Sequence, residues 1–205
     1  MTYSMAWRIR ILGQVQGVGF RPFVWKKAVE QGLTGHVSNG MAGVEVIVNA
    51  SISQIEVFYR ELIEEAPAGS RITSSTLELL DPFGVDVVAF TIVESVSEGA
   101  PVLLLTPDVA LCPVCREELH TSDNRRLDYP FITCTYCGPR YSVIQALPYD
   151  RENTTMRPFE MCPDCLAEYQ NPSDRRFFAQ TNSCPTCGIR MELTAVGGAV
   201  LGTDT

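Results

Sequence analysis

The fold of the first half of the chain is decided by the stretch Trp7-Arg8-Ile9-Arg10-Ile11-Leu12-Gly13-Gln14-Val15-Gln16-Gly17-Val18-Gly19-Phe20-Arg21-Pro22. Apolar and polar side chains alternate from Trp7 to Ile11, and Leu12 follows, which indicates the period of a half-buried strand. Proline suits the first position of a helix, because the N–H that it lacks is not needed there. We therefore predict a helix over residues 22–31, which Gly32 is placed to terminate.

The remaining pattern of the first half predicts an α+β domain. Strands are expected at residues 33–38, 44–49, 72–79 and 87–93, with a turn over residues 39–43 between the first two. A second helix follows the second of these strands, and Ser53 and Glu56 form a candidate capping box at its start. Its buried stripe is predicted to be Ile55, Phe58, Tyr59, Leu62 and Ile63. The order β-α-β-β-α-β plus a last strand predicts a ferredoxin-like fold.

The turn between the first strand and the first helix has the residues of an anion site. Gly17 and Gly19 allow a sharp turn with N–H groups pointing inward, and the helix start adds free N–H groups and a positive dipole end. Arg21 supplies a cation that can grip two phosphate oxygens. The plain alternative is a glycine turn beside a solvated arginine.

All eight cysteines lie beyond residue 111, in four C-x-x-C pairs. Two such pairs can hold one Zn²⁺ in a tetrahedral site. We predict two structural ions, one bound by Cys112, Cys115, Cys134 and Cys137 and the other by Cys162, Cys165, Cys184 and Cys187. A crossed arrangement, with outer pairs together and inner pairs together, also fits the spacing. Closed four-sulfur sites leave no position for reacting water, and we do not expect redox activity.

The second half is an internal duplication with an offset of 50 residues. Glu118 matches Glu168, Arg125-Arg126 matches Arg175-Arg176, and Arg140 matches Arg190. The arginine pairs either bridge acids across a finger or cover its apolar side with their stems. We predict a first domain at 1–94, a linker at 95–107, finger 1 at 108–144, a connector at 145–157, finger 2 at 158–194 and a tail at 195–205. His36 and His120 are not expected to be ligands.

Composition limits the function classes. The formal net charge of −8 argues against a general nucleic-acid binder. The sequence has no apolar stretch of membrane-spanning length and no signal-peptide pattern, so we expect a cytoplasmic protein without membrane contact. Paired cysteines in a reducing compartment favour metal over disulfides.

The segment Gly13-x-Val15-Gln16-Gly17-Val18-x-Phe20-Arg21 resembles the acylphosphatase signature. Gly35-x-Val37-x-Asn39 with Gly43-Val44-Glu45 resembles the second signature of that family, from which Ala42 departs. The resemblance implies that Arg21 binds the phosphate together with main-chain N–H groups of Gln16, Gly17, Val18, Gly19 and Phe20. It implies that Asn39 orients the attacking water. The alternative for Asn39 is a turn residue with positive φ.

The acylphosphatase-like region followed by this cysteine ladder is similar to the N-terminal part of the HypF family, the carbamoyltransferases of [NiFe]-hydrogenase maturation. Further matching segments are Cys137-Gly138-Pro139-Arg140 and Tyr149-Asp150-Arg151, while Phe178 and Ile189 depart from the family. The resemblance implies hydrolysis of carbamoyl phosphate to carbamate. Later domains, expected beyond Thr205, would use ATP to pass the carbamoyl group to the C-terminal cysteine of HypE. The competing hypothesis is a non-catalytic, zinc-stapled interaction module.

Overall fold

The computed structural model describes residues 5–102 and 104–203 of the chain. The first half contains five strands and two helices: β1 (Met5–Gln14), α1 (Phe20–Glu30), β2 (Thr34–Gly40), β3 (Gly43–Ala50), α2 (Ile52–Glu64), β4 (Arg71–Asp81) and β5 (Phe90–Ile92). The strand order is β4-β1-β3-β2-β5. All pairs are antiparallel except β2 with β5, which is parallel. This mixed sheet confirms the predicted α+β, ferredoxin-like class.

The core of the first half lies between the sheet and its two helices. Alternate residues of β1 point into it, so Ile9 and Ile11 are fully buried while Arg8 and Arg10 stay on the other face and approach Glu45 of β3. From α2 the core receives Ile55, Phe58 and Leu62, with Tyr59 and Ile63 packed against it. The predicted stripe therefore faces the core, and its apolar burial stabilises the domain without metal.

Two predicted helix starts are wrong in position. Helix α1 begins at Phe20 rather than Pro22, and its first main-chain bond runs from the N–H of Phe23 to the C=O of Gly19. Proline is tolerated there because the first N–H groups of a helix have no intrahelical acceptor. Helix α2 is capped by Ser51 and Gln54 rather than by Ser53 and Glu56, because the chain leaves β3 only at Ala50.

The turn between β2 and β3 is tighter than predicted. Asn39 and Gly40 belong to β2, where they pair with Val44 and Gly43 of β3. Asn39 is therefore a strand residue without positive φ, and the interpretation as a left-handed turn residue is wrong. Its side chain is 2% exposed, at the end of the strand nearest to the glycine turn that precedes α1.

The second half is built around two short helices, each of which begins directly after the first cysteine of a C-x-x-C pair and contains the second. They are α3 (Pro113–His120) and α4 (Pro163–Gln170), with 3-10 turns at Tyr141–Val143 and Arg151–Asn153 and a hairpin of β6 (Glu192–Thr194) and β7 (Val200–Thr203). The duplication extends to the backbone, since Asp128 and its counterpart Phe178 both have a φ of 56°. Across the described ranges, no helix combines the length and apolar character of a membrane span.

Candidate anion site and metal centres

The loop between β1 and α1 forms the wall of a small cavity. Gly17 and Gly19 have φ angles of 74° and 78°, a conformation that side chains disfavour and glycine adopts readily. Among the described residues, no acceptor takes a hydrogen bond from the main-chain N–H of Gly17, Val18 or Gly19. The loop thus presents three uncommitted donors beside the N-terminus of α1, an arrangement that suits an anion.

The cavity has a volume of about 30 Å³ and collects most of the predicted site residues. Gln16, Gly17, Gly19, Phe20, Arg21 and Asn39 line it. Val18 does not, because its side chain is buried in the hydrophobic core. Arg21 and Asn39 come from α1 and β2, so the sheet brings together the two side chains that the acylphosphatase signatures single out.

Arg21 is already engaged by the second half of the chain. Its Nη2 donates to Asp150 Oδ1 at 2.7 Å, and the side chains of Arg21 and Asp150 are only 8% and 17% exposed. The guanidinium also lies over the ring of Phe178, 5.9 Å from its centroid. A carboxylate therefore occupies a donor of Arg21 that a phosphate oxygen would use.

Asn39 is oriented by the same connector. Its Nδ2 donates to the main-chain carbonyl of Tyr149 at 3.2 Å. Its Oδ1 is buried and has no partner among the described residues. The amide is thus anchored on one side, and its acceptor is left available for a proton donor such as a water molecule.

Gln16 ties the glycine loop, the β2–β3 turn and the connector together through its side chain. Its Nε2 donates to the carbonyls of Gly40 and Gly43 at 2.7 and 2.8 Å, and its Oε1 accepts the N–H of Tyr149 at 2.8 Å. Sequence reasoning assigned only the main-chain N–H of Gln16. The buried amide makes all of these bonds inside the protein, so it fixes the loop, the turn and the connector relative to one another.

Sequence reasoning missed the residues that the second half adds to this cavity. They are Thr135, Arg140, Tyr149, Phe178, Ala179 and Gln180. Two of them stood in the segments that resemble the HypF family, but nothing local linked those segments to the site. Burial raises the pKa of the Tyr149 hydroxyl, against the lowering effect of the nearby Arg140 and Arg21 charges.

The eight cysteines form two clusters, and the sequential sets are the ones brought together. Within each cluster all sulfur atoms lie within 4.8 Å of one another. Neighbouring Sγ atoms are separated by 3.9 and 3.7 Å in the first and by 3.7, 3.8 and 3.6 Å in the second. A Zn–S bond of about 2.3 Å predicts a tetrahedral edge of about 3.8 Å. The thiols are free, and both donor sets fit a closed four-sulfur zinc site.

The arginine pairs bridge between the fingers rather than within one. Arg126 of finger 1 donates to both oxygens of Glu168 in finger 2, at 2.9 and 2.5 Å, and its Nε reaches the carbonyl of Ser183. Arg176 of finger 2 makes the reciprocal contacts with Glu118 and the carbonyl of Thr133. The two repeats therefore exchange their arginines, which gives the pair an approximate twofold relation.

The remaining two arginines, Arg125 and Arg175, point at cysteine sulfurs of the opposite finger. Arg125 donates to Cys165 Sγ at 3.4 and 3.3 Å, and Arg175 donates to Cys115 Sγ. Burial opposes ionisation of Cys184, but main-chain N–H groups of Cys187 and Thr186 and the neighbouring thiols outweigh it and lower its pKa to about 6. These donors favour the thiolate form that a metal requires.

Comparison with known proteins agrees with both halves of the structure. The acylphosphatase family matches residues 7–91, and the HypF finger matches residues 111–144 and 161–194. Carbamoyltransferase HypF of Rhodobacter capsulatus is 48% identical over 200 residues, which are 97% of this chain and 26% of that protein. The chain belongs to the HypF family. It spans about a quarter of the length of this relative.

The similarity to HypF extends to three dimensions. A crystal structure of full-length HypF in the phosphate- and nucleotide-bound form matches with a TM-score of 0.86 and 40% identity, over 94% of this chain and 26% of that one. The acylphosphatase of Mannheimia succiniciproducens is 46% identical over 63 residues, 30% of this chain and 69% of that protein. The acylphosphatase fold and the two four-cysteine clusters are thus features of the family to which the chain belongs.

Proposed function

We propose that the cavity at Arg21 binds a small acyl phosphate, carbamoyl phosphate, and hydrolyses it to carbamate and phosphate. The observation that carries this proposal is the convergence of the uncommitted N–H groups of Gly17 and Gly19, the Arg21 cation and the unpartnered Asn39 Oδ1 on one cavity. Phosphate oxygens would bind the loop of Gln16–Phe20 and Arg21. The enzyme class is then an acylphosphatase-type hydrolase.

The reaction needs little from the protein beyond positioning and charge stabilisation, because an acyl phosphate is already activated. Water held by Asn39 Oδ1 attacks phosphorus, the bond from phosphorus to the acyl oxygen breaks, and carbamate leaves with the electron pair. A phosphate oxygen accepts the proton of the water, so carbamoyl phosphate dianion and water give carbamate and dihydrogen phosphate. No carboxylate or histidine of the chain serves as the base.

The wider role follows from the relatives. The similar full-length HypF was solved with phosphate and nucleotide bound, and the similar curated proteins are carbamoyltransferases. We propose that carbamate formed here feeds an ATP-dependent carbamoylation of the C-terminal cysteine of HypE, carried out by domains outside this chain. A cytoplasmic location suits eight clustered free thiols.

We also propose Zn²⁺ as the metal of both cysteine clusters, with a structural role. Four thiolates at tetrahedral spacing suit zinc, and the metal would connect α3 and α4 to the loops that carry the second pair of each finger. The domain limits 1–94, 95–107, 108–144, 145–157, 158–194 and 195–205 are part of this proposal. Metal analysis of the purified chain should give about two zinc ions per molecule.

Phosphate release from carbamoyl and acetyl phosphate tests the hydrolase proposal. We expect turnover by the zinc-loaded chain, a loss of about a hundredfold or more in Arg21→Ala and a smaller loss in Asn39→Ala, because each variant removes transition-state positioning. Arg157→Ala, which removes an exposed arginine, should leave the rate unchanged. An inactive chain, or an Arg21→Ala variant with the wild-type rate, would overturn the proposal.

A second candidate is a non-catalytic, zinc-stapled binding module. It is favoured by the engagement of both Arg21 and Asn39 by the connector residues Tyr149 and Asp150. On this alternative, phosphate or a carboxylate-bearing partner binds without turnover. Phosphate binding in the absence of any acyl phosphate hydrolysis would select it over the hydrolase.

A further inference from the structure

The cavity at the glycine loop contains a second buried arginine, and finger 1 supplies it. Arg140 follows the Cys137-Gly138-Pro139 turn, is 3% exposed and lines the cavity together with Arg21, Gly17 and Gly19. The acylphosphatase family matches residues 7–91, and Arg140 lies outside that range, in finger 1.

The positive charge of Arg140 has no carboxylate partner among the described residues. Its Nη1 donates to the carbonyl of Pro139, and its Nη2 donates to the carbonyls of Cys134 and Thr135, at 2.9 and 3.1 Å. Asp108 accepts only the main-chain N–H of Arg140, at 2.7 Å. The other buried arginines of the described ranges, Arg21, Arg126 and Arg176, all form ion pairs. The carbonyls around Arg140 accept hydrogen bonds but do not neutralise its charge, and a buried charge that is not neutralised is costly, so the cavity favours an anion.

Arg140 also orients the glycine loop. Its Nε donates to the carbonyl of Gly17, and the hydroxyl of Thr106 donates to the carbonyl of Gln16 at 2.5 Å. In a trans peptide the C=O and the following N–H point in opposite directions. Holding these two carbonyls against the second half of the chain therefore turns the N–H groups of Gly17 and Val18 away from it, where they remain uncommitted.

We propose that Arg140 is a positioning residue of the anion site, which fixes the glycine loop in its donor orientation and adds a second positive charge for the bound phosphate. The inference rests on the proposed function of the cavity. The inference makes finger 1 part of the anion site, in addition to its proposed role in binding a metal ion. Two arginines, Arg21 and Arg140, line the cavity, and Asp150, which is bonded to Arg21, offsets only one of their charges before a phosphate binds.

Calorimetric titration of inorganic phosphate into the zinc-loaded full chain tests this inference. We expect Arg140→Gln to raise the Kd for phosphate by about tenfold or more, because it removes a buried positive charge beside the cavity together with a clamp on the glycine loop. Arg140→Lys should give an intermediate Kd, since it keeps the charge and loses the clamp on the loop. The matched control is Arg190→Gln, the exposed counterpart in finger 2, which should bind phosphate like the wild type.

Kinetics separate positioning from a general loss of structure. With acetyl phosphate, Arg140→Gln should raise KM, whereas a partly misfolded preparation would lower kcat in proportion and leave KM unchanged. If Arg140→Gln loses metal, the Kd and KM of the Arg140→Lys protein with two bound zinc ions test the inference instead.

The outcomes are distinct from those that test the proposed function. Wild-type Kd and KM in a zinc-loaded Arg140 variant, alongside lost phosphate binding in Arg21→Ala, would overturn the inference and leave the proposed function standing. A wild-type chain that binds no phosphate would overturn both.

Discussion

Arg21 meets a carboxylate at the position where the proposed function requires a phosphate. The Asp150 oxygen lies 2.7 Å from its Nη2, in surroundings that leave the arginine side chain 8% exposed. A bound phosphate dianion and an ionised Asp150 would compete for the same donors and would repel each other in a poorly hydrated site. Asp150 is therefore expected to weaken phosphate binding rather than to assist it.

We predict that Asp150→Asn binds inorganic phosphate about tenfold more tightly than the wild type, because the amide leaves Arg21 without a competing charge. Glu152→Gln is the control, since it removes a charge from the same segment at a residue that makes no ion pair among the described side chains. Calorimetry at pH 7 measures both. Weaker binding in Asp150→Asn would show instead that Asp150 holds Arg21 in its productive orientation.

Ionisation of Glu168 contributes to the stability of the two packed fingers. Burial raises its pKa, but hydrogen bonds from Arg126 and Arg125 outweigh this effect and lower the pKa from 4.5 to about 2. A lowered folded-state pKa stabilises the folded chain fully above pH 4.5, and the contribution is lost as the pH falls toward 2. Its size at neutral pH is on the order of 3 kcal/mol.

We predict that the difference in free energy of unfolding between the wild type and Glu168→Gln is largest at pH 7 and shrinks steadily below pH 4.5. Both proteins have the same eight cysteines, and the comparison at each pH is made at equal zinc content. Denaturant titrations at several pH values measure the difference, with the exposed Glu117→Gln as the control. A difference in free energy of unfolding that stays constant down to pH 2.5 would contradict the lowered pKa of Glu168.

At the scale of elements, the two fingers form one unit because each is braced by the other. Helix α3 carries Glu118 toward Arg176, and α4 carries Glu168 toward Arg126. The same arginine segments reach sulfur atoms of the opposite four-cysteine cluster. Removing one partner of a buried ion pair is strongly destabilising, because the other charge stays buried without compensation.

We predict that Arg176→Met, a change in finger 2, speeds metal release from the Cys112 cluster of finger 1. Its expected effect on stability is about 3–5 kcal/mol, and adding Glu118→Leu should restore much of the loss by replacing the whole ion pair with apolar contact. Release of zinc to a chromogenic chelator measures the rates. The exposed Arg157→Met serves as the control. Equal rates of zinc release from Arg176→Met and Arg157→Met would show that Arg176 does not support the Cys112 cluster.

At the scale of the whole molecule, the fingers and the first domain share the cavity at the glycine loop. Tyr149 and Asp150 contact Asn39 and Arg21, and Trp25 of α1 packs edge-on against Phe177 at a centroid distance of 5.4 Å. Arg151 anchors the connector to finger 2 through the carbonyls of Gln180 and Asn182. The packing of the two four-cysteine clusters is therefore linked to the geometry of a cavity that lies outside them.

We predict that removal of zinc by a chelator unfolds the finger pair, weakens phosphate binding and leaves the first domain folded. The core of that domain, around Ile9, Val46 and Phe58, is apolar and contacts no cysteine. Hydrogen exchange should show protection kept in β1 and β3 and lost over residues 111–194. Unchanged phosphate affinity in the metal-free chain would contradict the link between the fingers and the site.

Much of the architecture was predictable from local pattern, because strand and helix periods are set by residues close in sequence. The alternation in β1, the stripe of α2 and the paired cysteines all led to the observed elements. Errors fell at element ends, where Ser51 rather than Ser53 caps α2 and Asn39 lies in a strand. These ends depend on pairing with strands that are distant in sequence, so a short stretch of sequence does not specify them.

By itself, the sequence determined the α+β domain, the glycine loop with Arg21 and the sequential cysteine sets as the favoured grouping. Only the tertiary structure decided that Arg140 and Asp150 meet that loop and that the repeats exchange their arginines. Asp150 lies 129 residues from Arg21, and Glu168 lies 42 from Arg126. Contacts at such separations depend on how whole domains pack. A repeat period or a turn motif constrains the shape of each part but does not specify which buried charges of two parts become neighbours.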